Sequence, residues 1–327
     1  MRESTQEVAG ISKCSAVEMQ DLRRRCIRLL IALSKSSDEL PPSLFISEGL
    51  DTPPGRDPVK SGGFADIFKG VYLGREAAFK RMRIFITGAN PITARKTLLQ
   101  ETLFWRQANH PSILPFYGVW RDYPAMESMP YLILPWISHG DAHNFCQTRA
   151  ILPAVINRLL IQVAEGLEYL HAEGMIHGDL TGSNVLIDER DGQHHARLCD
   201  FGLTSLFTNS TSFLQTANHS TATGGAPRWM ARELFWPTLS DPTFASDIYA
   251  FGCVALELYS GLEPFHGIHA FQVPQVISAG QLPQNPGGGQ YGRFIPAQLW
   301  ESIGDCWKAN PEDRPNATAV LTVLRQL

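Results

Sequence analysis

A chain of 327 residues with 44% hydrophobic content has ample material for a core, which excludes wholesale disorder and suits one large two-lobed domain with a short extension. A formal charge of −4 argues against a nucleic-acid partner held by bulk electrostatics. Six scattered cysteines without a C-x-x-C pair speak against a disulfide framework or zinc site, and no apolar run reaches the ~18 residues of a membrane span, so a soluble, cytoplasmic protein without membrane insertion is expected.

Residues 1 to about 13 read as unstructured. From Ala16 to Ser34, Leu22, Cys26, Leu29, Leu30 and Leu33 recur on one side of a helix. It is expected to dock as a buttress on the following domain, with Arg23, Arg24 and Arg25 toward solvent. A membrane-surface helix is the rival reading. Pro41-Pro42 closes this element, Ser43 to Ile46 reads as a short strand, and Asp51 to Asp57 as a linker. Val59 to Tyr72 alternates like a hairpin around Gly62 and Gly63, which lack side chains that would keep a backbone away from phosphates. A strand ending Ala77-Ala78-Phe79-Lys80 follows. The helix-like run Thr93 to Ala108 then carries Glu101, the sole acid between Arg81 and Trp120. Tyr131 to Leu134 is a buried-strand pattern, continued by Pro135-Trp136-Ile137.

A long helix, Ile151 to Leu170, leads into His177-Gly178-Asp179-Leu180-Thr181-Gly182-Ser183-Asn184 and a short strand, Val185 to Ile187. An acid and an amide on one loop at this spacing can accept a hydroxyl proton and offer an oxygen to a hard cation. A second carboxylate arrives in Asp200-Phe201-Gly202, after the strand Ala196 to Cys199. Between the two strands, His194 and His195 sit in a turn where metal binding is not expected. The stretch from Phe201 is rich in Ser, Thr, Asn and Gly, reads as a mobile loop, and ends in Arg228-Trp229-Met230-Ala231-Arg232-Glu233. The helix from Ser246 to Leu258 is apolar nearly all round and must be buried. The glycine-rich stretch Gln281 to Tyr291 has no readable function. Cys306-Trp307, Pro311 and Arg314-Pro315 close the pattern.

Taken in order, these motifs resemble those of protein kinases: the catalytic loop H-R-D-L-x-x-x-N, then D-F-G, R-W-M-A-P-E and the C-W…R-P ending. Small-molecule phosphotransferases share the His-Gly-Asp-Leu run but lack the last two segments. The resemblance covers about residues 58 to 327 and implies an α+β, bilobal fold with a small, mainly β N-lobe bearing one helix and a larger helical C-lobe. Residues 1–57 would form an extension, 58–137 the N-lobe and hinge, and 138–327 the C-lobe. ATP would lie between the lobes, under Gly62 and Gly63. Leu134 would guard the back of the adenine pocket, Trp136 lie in the hinge, and Asp141 reach the ribose. Lys80, oriented by Glu101, would hold the α- and β-phosphates, while Asn184 and Asp200 bind Mg2+ and Asp179 takes the acceptor proton. Asp247 would cap backbone amides of the catalytic loop, and Arg314 would pair with Glu233. The pattern is most similar to the tyrosine-kinase-like group of fungal type, implying a protein substrate and serine/threonine transfer.

Several positions depart from the family. Lys60 and Ala65 stand where the first and third glycines of the phosphate hairpin belong, and Arg232 replaces a proline. Gly178 replaces the arginine that receives activation-loop phosphate, Thr181 the lysine that steadies the γ-phosphate, and Ala226 the hydroxyl residue beside it. They imply a slow kinase, or alternatively a pseudokinase acting as a nucleotide-binding or scaffold module.

Overall fold

In the computed structural model the described residues are 16–37, 39–62, 65–82, 102–121, 130–201, 226–235 and 240–327. The chain begins with helix α1 (Ala16–Ser37). It buries only one edge of the expected face: Leu30 packs against the large core beside Ile27, while Leu22, Cys26, Leu29 and Leu33 are exposed. Arg23 stays exposed as expected and also donates to the Gln107 carbonyl. The leading strand expected at Ser43 to Ile46 is instead a 3-10 turn, Pro42–Leu44, followed by a single bridge from Phe45 to Val119. Proline at the turn's start fixes φ and lacks a ladder donor, which favours the turn.

The smaller lobe is a curled antiparallel sheet. Strands β1 (Leu50–Thr52), β2 (Lys60–Ser61), β3 (Ala65–Tyr72), β4 (Arg75–Met82), β5 (Gly118–Trp120) and β6 (Tyr131–Pro135) run in the spatial order β1-β3-β4-β6-β5, with β2 also on β3. The linker expected over Asp51 to Asp57 therefore begins as a strand. Its approach depends on Gly70, where a Cβ would come within 2.7 Å of the Thr52 carbonyl and 2.6 Å of the Phe79 ring. Phe68, Ala77, Phe79, Tyr131 and Ile133 form the core on one face of this sheet. The register sets Lys80 opposite Leu132 and Ala78 opposite Leu134.

Helix α2 (102–107) packs behind the sheet through Leu103 and Trp105, both buried. The helical lobe follows, with α3 (Ala142–Gln147), α4 (Pro153–Ala172), the hairpin of β7 (Val185–Arg190) and β8 (Gln193–Leu198), α5 (Phe244–Ser260), α6 (Val273–Ser278), α7 (Ala297–Cys306) and α8 (Ala317–Leu324). The fold is thus α+β and bilobal. Helix α4 buries Ile156, Leu159, Leu160, Val163, Leu167 and Leu170, the three-and-four spacing of one helical face. Helix α5 is the axis of the lobe, buried continuously from Ser246 to Ser260. It starts two residues before the expected Ser246, because Thr243 and Ser246 form a reciprocal capping box, and it stops where Gly261 adopts φ +67°. No helix among the described residues is long and apolar enough to cross a membrane.

Candidate active site

The two lobes bring Lys80 and Asp200 together. β4 holds the Lys80 side chain almost wholly buried, with Nζ 2.8 Å from Asp200 Oδ1. Asp200 takes a left-handed backbone, φ +59°, a conformation that aspartate tolerates better than most residues. Phe201 next to it turns inward. Its ring lies 5.3 Å from Trp105 and 6.3 Å from His177, and Trp105 in turn stacks on Phe116 at 5.9 Å. This column of rings ties the acid to α2 and to the loop that carries Asp179.

That loop is fixed from below by α5. Asp247 is 1% exposed and its carboxylate accepts from His177 N and Gly178 N, each at 2.8 Å, and from His171 Nε2 at 2.9 Å. The helix cap is Thr243, so Asp247 serves the loop and not its own helix terminus. Asn184 crosses the loop, its Nδ2 donating to the Asp179 carbonyl at 2.7 Å and to Asp179 Oδ2 at 2.9 Å. Burial pushes the Asp179 carboxyl up to about 6; the Asn184 hydrogen bond opposes this rise, the Asp200 charge adds to it and Lys80 counters it. The residue as a whole nevertheless keeps some solvent contact. Burial lowers His177, keeping its ring neutral beneath the loop.

The sequence model for protein tyrosine and serine/threonine kinases matches residues 56–324. The chain belongs to the protein kinase family. It is 28% identical over 269 residues to a probable serine/threonine-protein kinase of Dictyostelium discoideum, a match covering 81% of this chain and 27% of that protein. Mitogen-activated protein kinase kinase kinase 11 of Homo sapiens is 26% identical, with 88% of this chain and 34% of the relative covered. Tyrosine-protein kinase SYK of Gallus gallus is 28% identical, covering 81% and 41% respectively. The chain therefore spans roughly a quarter to two-fifths of the length of these curated relatives.

The other positions named from the sequence have the following surroundings. Leu134 is buried against Ala78 at the inner end of β6. Trp136 donates its amide to Glu76 and offers its ring to Lys69 Nζ at 4.9 Å. Gly62 closes the hairpin by donating to the Ala65 carbonyl at 2.9 Å. Gly63 and Glu101 lie outside the described residues. Asp141, expected at a ribose, caps α3 through Asn144 N and binds Lys60 Nζ at 2.8 Å. Burial works to raise its pKa, but the bonds from Asn144 and Lys60 outweigh this and hold the carboxyl below its usual value. Lys60, which stands at a glycine position of the family hairpin, thereby straps that hairpin to the larger lobe.

A second buried acid was not singled out from the sequence. Glu257 accepts from Gly182 N at 3.1 Å and Trp229 Nε1 at 2.9 Å, and pairs with His143 Nδ1 at 2.6 Å. A Cβ on Gly182 would sit 2.6 Å from its carboxylate. The available signal was that Glu257 is the single charge between Ile248 and Leu258 in an otherwise apolar helix; such a charge requires partners. The bond to Glu257 raises the His143 pKa, while burial raises that of Glu257 against the pull of its partners. Thr181, beside this network, is 7% exposed and starts the 3-10 turn Gly182–Asn184.

The segment ending at Glu233 is clamped at two points. Arg228 donates to the carbonyls of Pro264, Phe265 and Ile268. Glu233 meets Arg314 in a bidentate pair at 2.6 and 2.9 Å, both residues buried. Away from the cleft, His194 does acquire the neighbours its sequence position lacked: His139 and Glu189. The tautomer argues against a metal there. Arg149 donates toward His139 Nδ1 at 3.3 Å, so Nε2 keeps the proton that it shares with Glu189 at 2.6 Å. A metal on Nε2 would force that proton onto Nδ1, facing the guanidinium.

Proposed function

We propose that the chain is an active, slow protein kinase that transfers the γ-phosphoryl group of ATP to serine or threonine hydroxyls of a protein substrate. The observation that carries this reading is the convergence of Lys80, Asp200, Asn184 and Asp179 on one cleft, with Phe201 packed inward behind them. Residues 58–137, with their hinge, and 138–327 would be the two lobes, and 1–57 the extension.

In this reading Lys80 holds the α- and β-phosphates, oriented by Glu101, while Gly62 and Gly63 close over them. Leu134 and Trp136 border the adenine. Asp141 meets the ribose only after releasing Lys60. The donor set suits Mg2+: Asp200 supplies hard carboxylate oxygens, and Asn184 spends its Nδ2 on Asp179, leaving its amide oxygen for a cation. Bound there, magnesium would offset charge on the phosphates. Asp179 lies next to Asn184 with an elevated pKa that suits a proton acceptor near neutrality. It would take the proton of the incoming hydroxyl and orient that oxygen for in-line attack.

Slow turnover follows from Thr181, which brings no cation to the γ-phosphate. Serine/threonine preference follows from the absence of the tyrosine-kinase arginine at Gly182 and Ser183, and the motif set supports the tyrosine-kinase-like group. A nucleotide-binding assay run beside a turnover assay tests the reading. Lys80→Met and Asp200→Ala should abolish transfer in protein that remains folded by circular dichroism. Nucleotide binding with no transfer by wild type would select the pseudokinase alternative instead.

A further inference from the structure

Helix α1 carries two stripes, and the domain uses only one. Ile27, Leu30 and the buried Ser34 face the large core, while Arg23 reaches Gln107 and lies 4.0 Å from Glu173. The other stripe is Met19, Leu22, Cys26, Leu29 and Leu33. Met19, Leu22, Leu29 and Leu33 are 54%, 53%, 64% and 66% exposed, and Cys26 is exposed too, so nothing among the described residues covers this face. At 3.6 residues per turn the stripes are about 100° apart, so a helix seated on one presents the other sideways to solvent. A solvated face would carry polar side chains here. This one is apolar at every position.

The spacing along the exposed stripe is three, four, three, four. That is a 3.5-residue repeat, with Met19, Cys26 and Leu33 at the a positions of a heptad and Leu22 and Leu29 at d. Leucine at d is the residue of two-stranded parallel coils, here without the β-branched residues that accompany it at a. In that register Glu18, at g, lies opposite Arg23, at e of the second helix, and these carry opposite charge. Arg23 remains 41% exposed beside its contacts with the domain. Arg25, at the next g position, already pairs with Asp21 of its own helix at 2.7 Å, so it brings no unpaired like charge to the seam. An antiparallel pair aligns at most four of the five a and d positions; a parallel pair aligns all five.

We propose that the exposed Met19–Leu33 seam of α1 pairs with the same seam of a second copy of this chain as a parallel, two-stranded coiled coil. An isolated helix of this length is marginal in water. Docking on the domain has already ordered this one, which removes much of the cost of pairing. The seam is short, so the dimer should be reversible and concentration-dependent.

Sedimentation of the full chain at increasing concentration tests this, together with oxidative cross-linking in a Cys14→Ser background. The proposal expects the mass to rise from 36.3 kDa toward twice that value. It also expects Leu22→Glu plus Leu29→Glu to hold the protein monomeric, with a melting temperature equal to wild type at concentrations where wild type is itself monomeric. Parallel pairing sets Cys26 against Cys26 of the second copy, so a mild oxidant should yield a covalent dimer that Cys26→Ser abolishes. A wild type monomeric throughout the range overturns the proposal, as does a dimer indifferent to the two glutamates. A dimer whose Cys26 residues fail to cross-link overturns the parallel arrangement. Monomers that bind anionic vesicles through Leu29 would assign the seam to a lipid surface and equally refute it.

Discussion

Replacing Arg314 with alanine removes both hydrogen bonds to Glu233, at 2.6 and 2.9 Å, and those to the Lys308 and Ala245 carbonyls, at 2.9 and 3.0 Å. It also strips a cation from the face of Tyr249, 5.4 Å away. Glu233 is left as a buried carboxylate without its counter-ion. Breaking one side of such a pair costs about 3–5 kcal/mol. At about 2 °C per kcal/mol for a large domain, the melting temperature should fall by roughly 6–10 °C. Differential scanning calorimetry without nucleotide is the assay. Glu233→Met combined with Arg314→Met should recover part of the loss, because an apolar pair leaves no buried charge. A shift within error for Arg314→Ala, or a double variant less stable than the single, would show that the pair does not brace the segment.

Three further outcomes are expected. kcat/KM should rise as pH increases through about 6, because the raised Asp179 carboxyl must lose its proton to act as a base; a flat profile across that region would remove it from the role. His143 has a pKa raised above its ordinary 6.5, so its pairing with Glu257 stabilises fully below 6.5 and fades as pH rises through the raised value; His143→Gln should flatten that decline in urea unfolding curves. Gly182→Ala should lower both stability and turnover, since its Cβ would press within 2.6 Å of a Glu257 carboxylate held by three partners; unchanged kinetics would mean the loop shifts freely.

The fold was legible wherever a motif or a long periodic run fixed it. The all-apolar run from Ser246 demanded a buried helix, and α5 is one; Asp247 and Arg314 met the partners the family pattern implied. Short-range signals failed for a physical reason. Strand β1 has only three residues and gains its place from contact with Gly70, which no local pattern encodes. The face of α1 misled because apolar periodicity reports that a stripe seeks burial, not which neighbour supplies it. At the site, the sequence named Lys80, Asp179, Asn184 and Asp200, but the Lys60–Asp141 strap and the Glu257–His143 pair join residues 81 and 114 positions apart. Such pairs are set by tertiary packing alone.

The central claim is chemical, and one measurement meets it directly. Purified wild type and Asp179→Asn are incubated with magnesium and ATP labelled at the γ-phosphate, and protein-bound label is identified by residue type. The account predicts magnesium-dependent label on serine or threonine, reduced about 10²–10⁴-fold by Asp179→Asn, the usual share of general-base catalysis. Equal labelling by the two proteins, or none by wild type at saturating nucleotide, would contradict it.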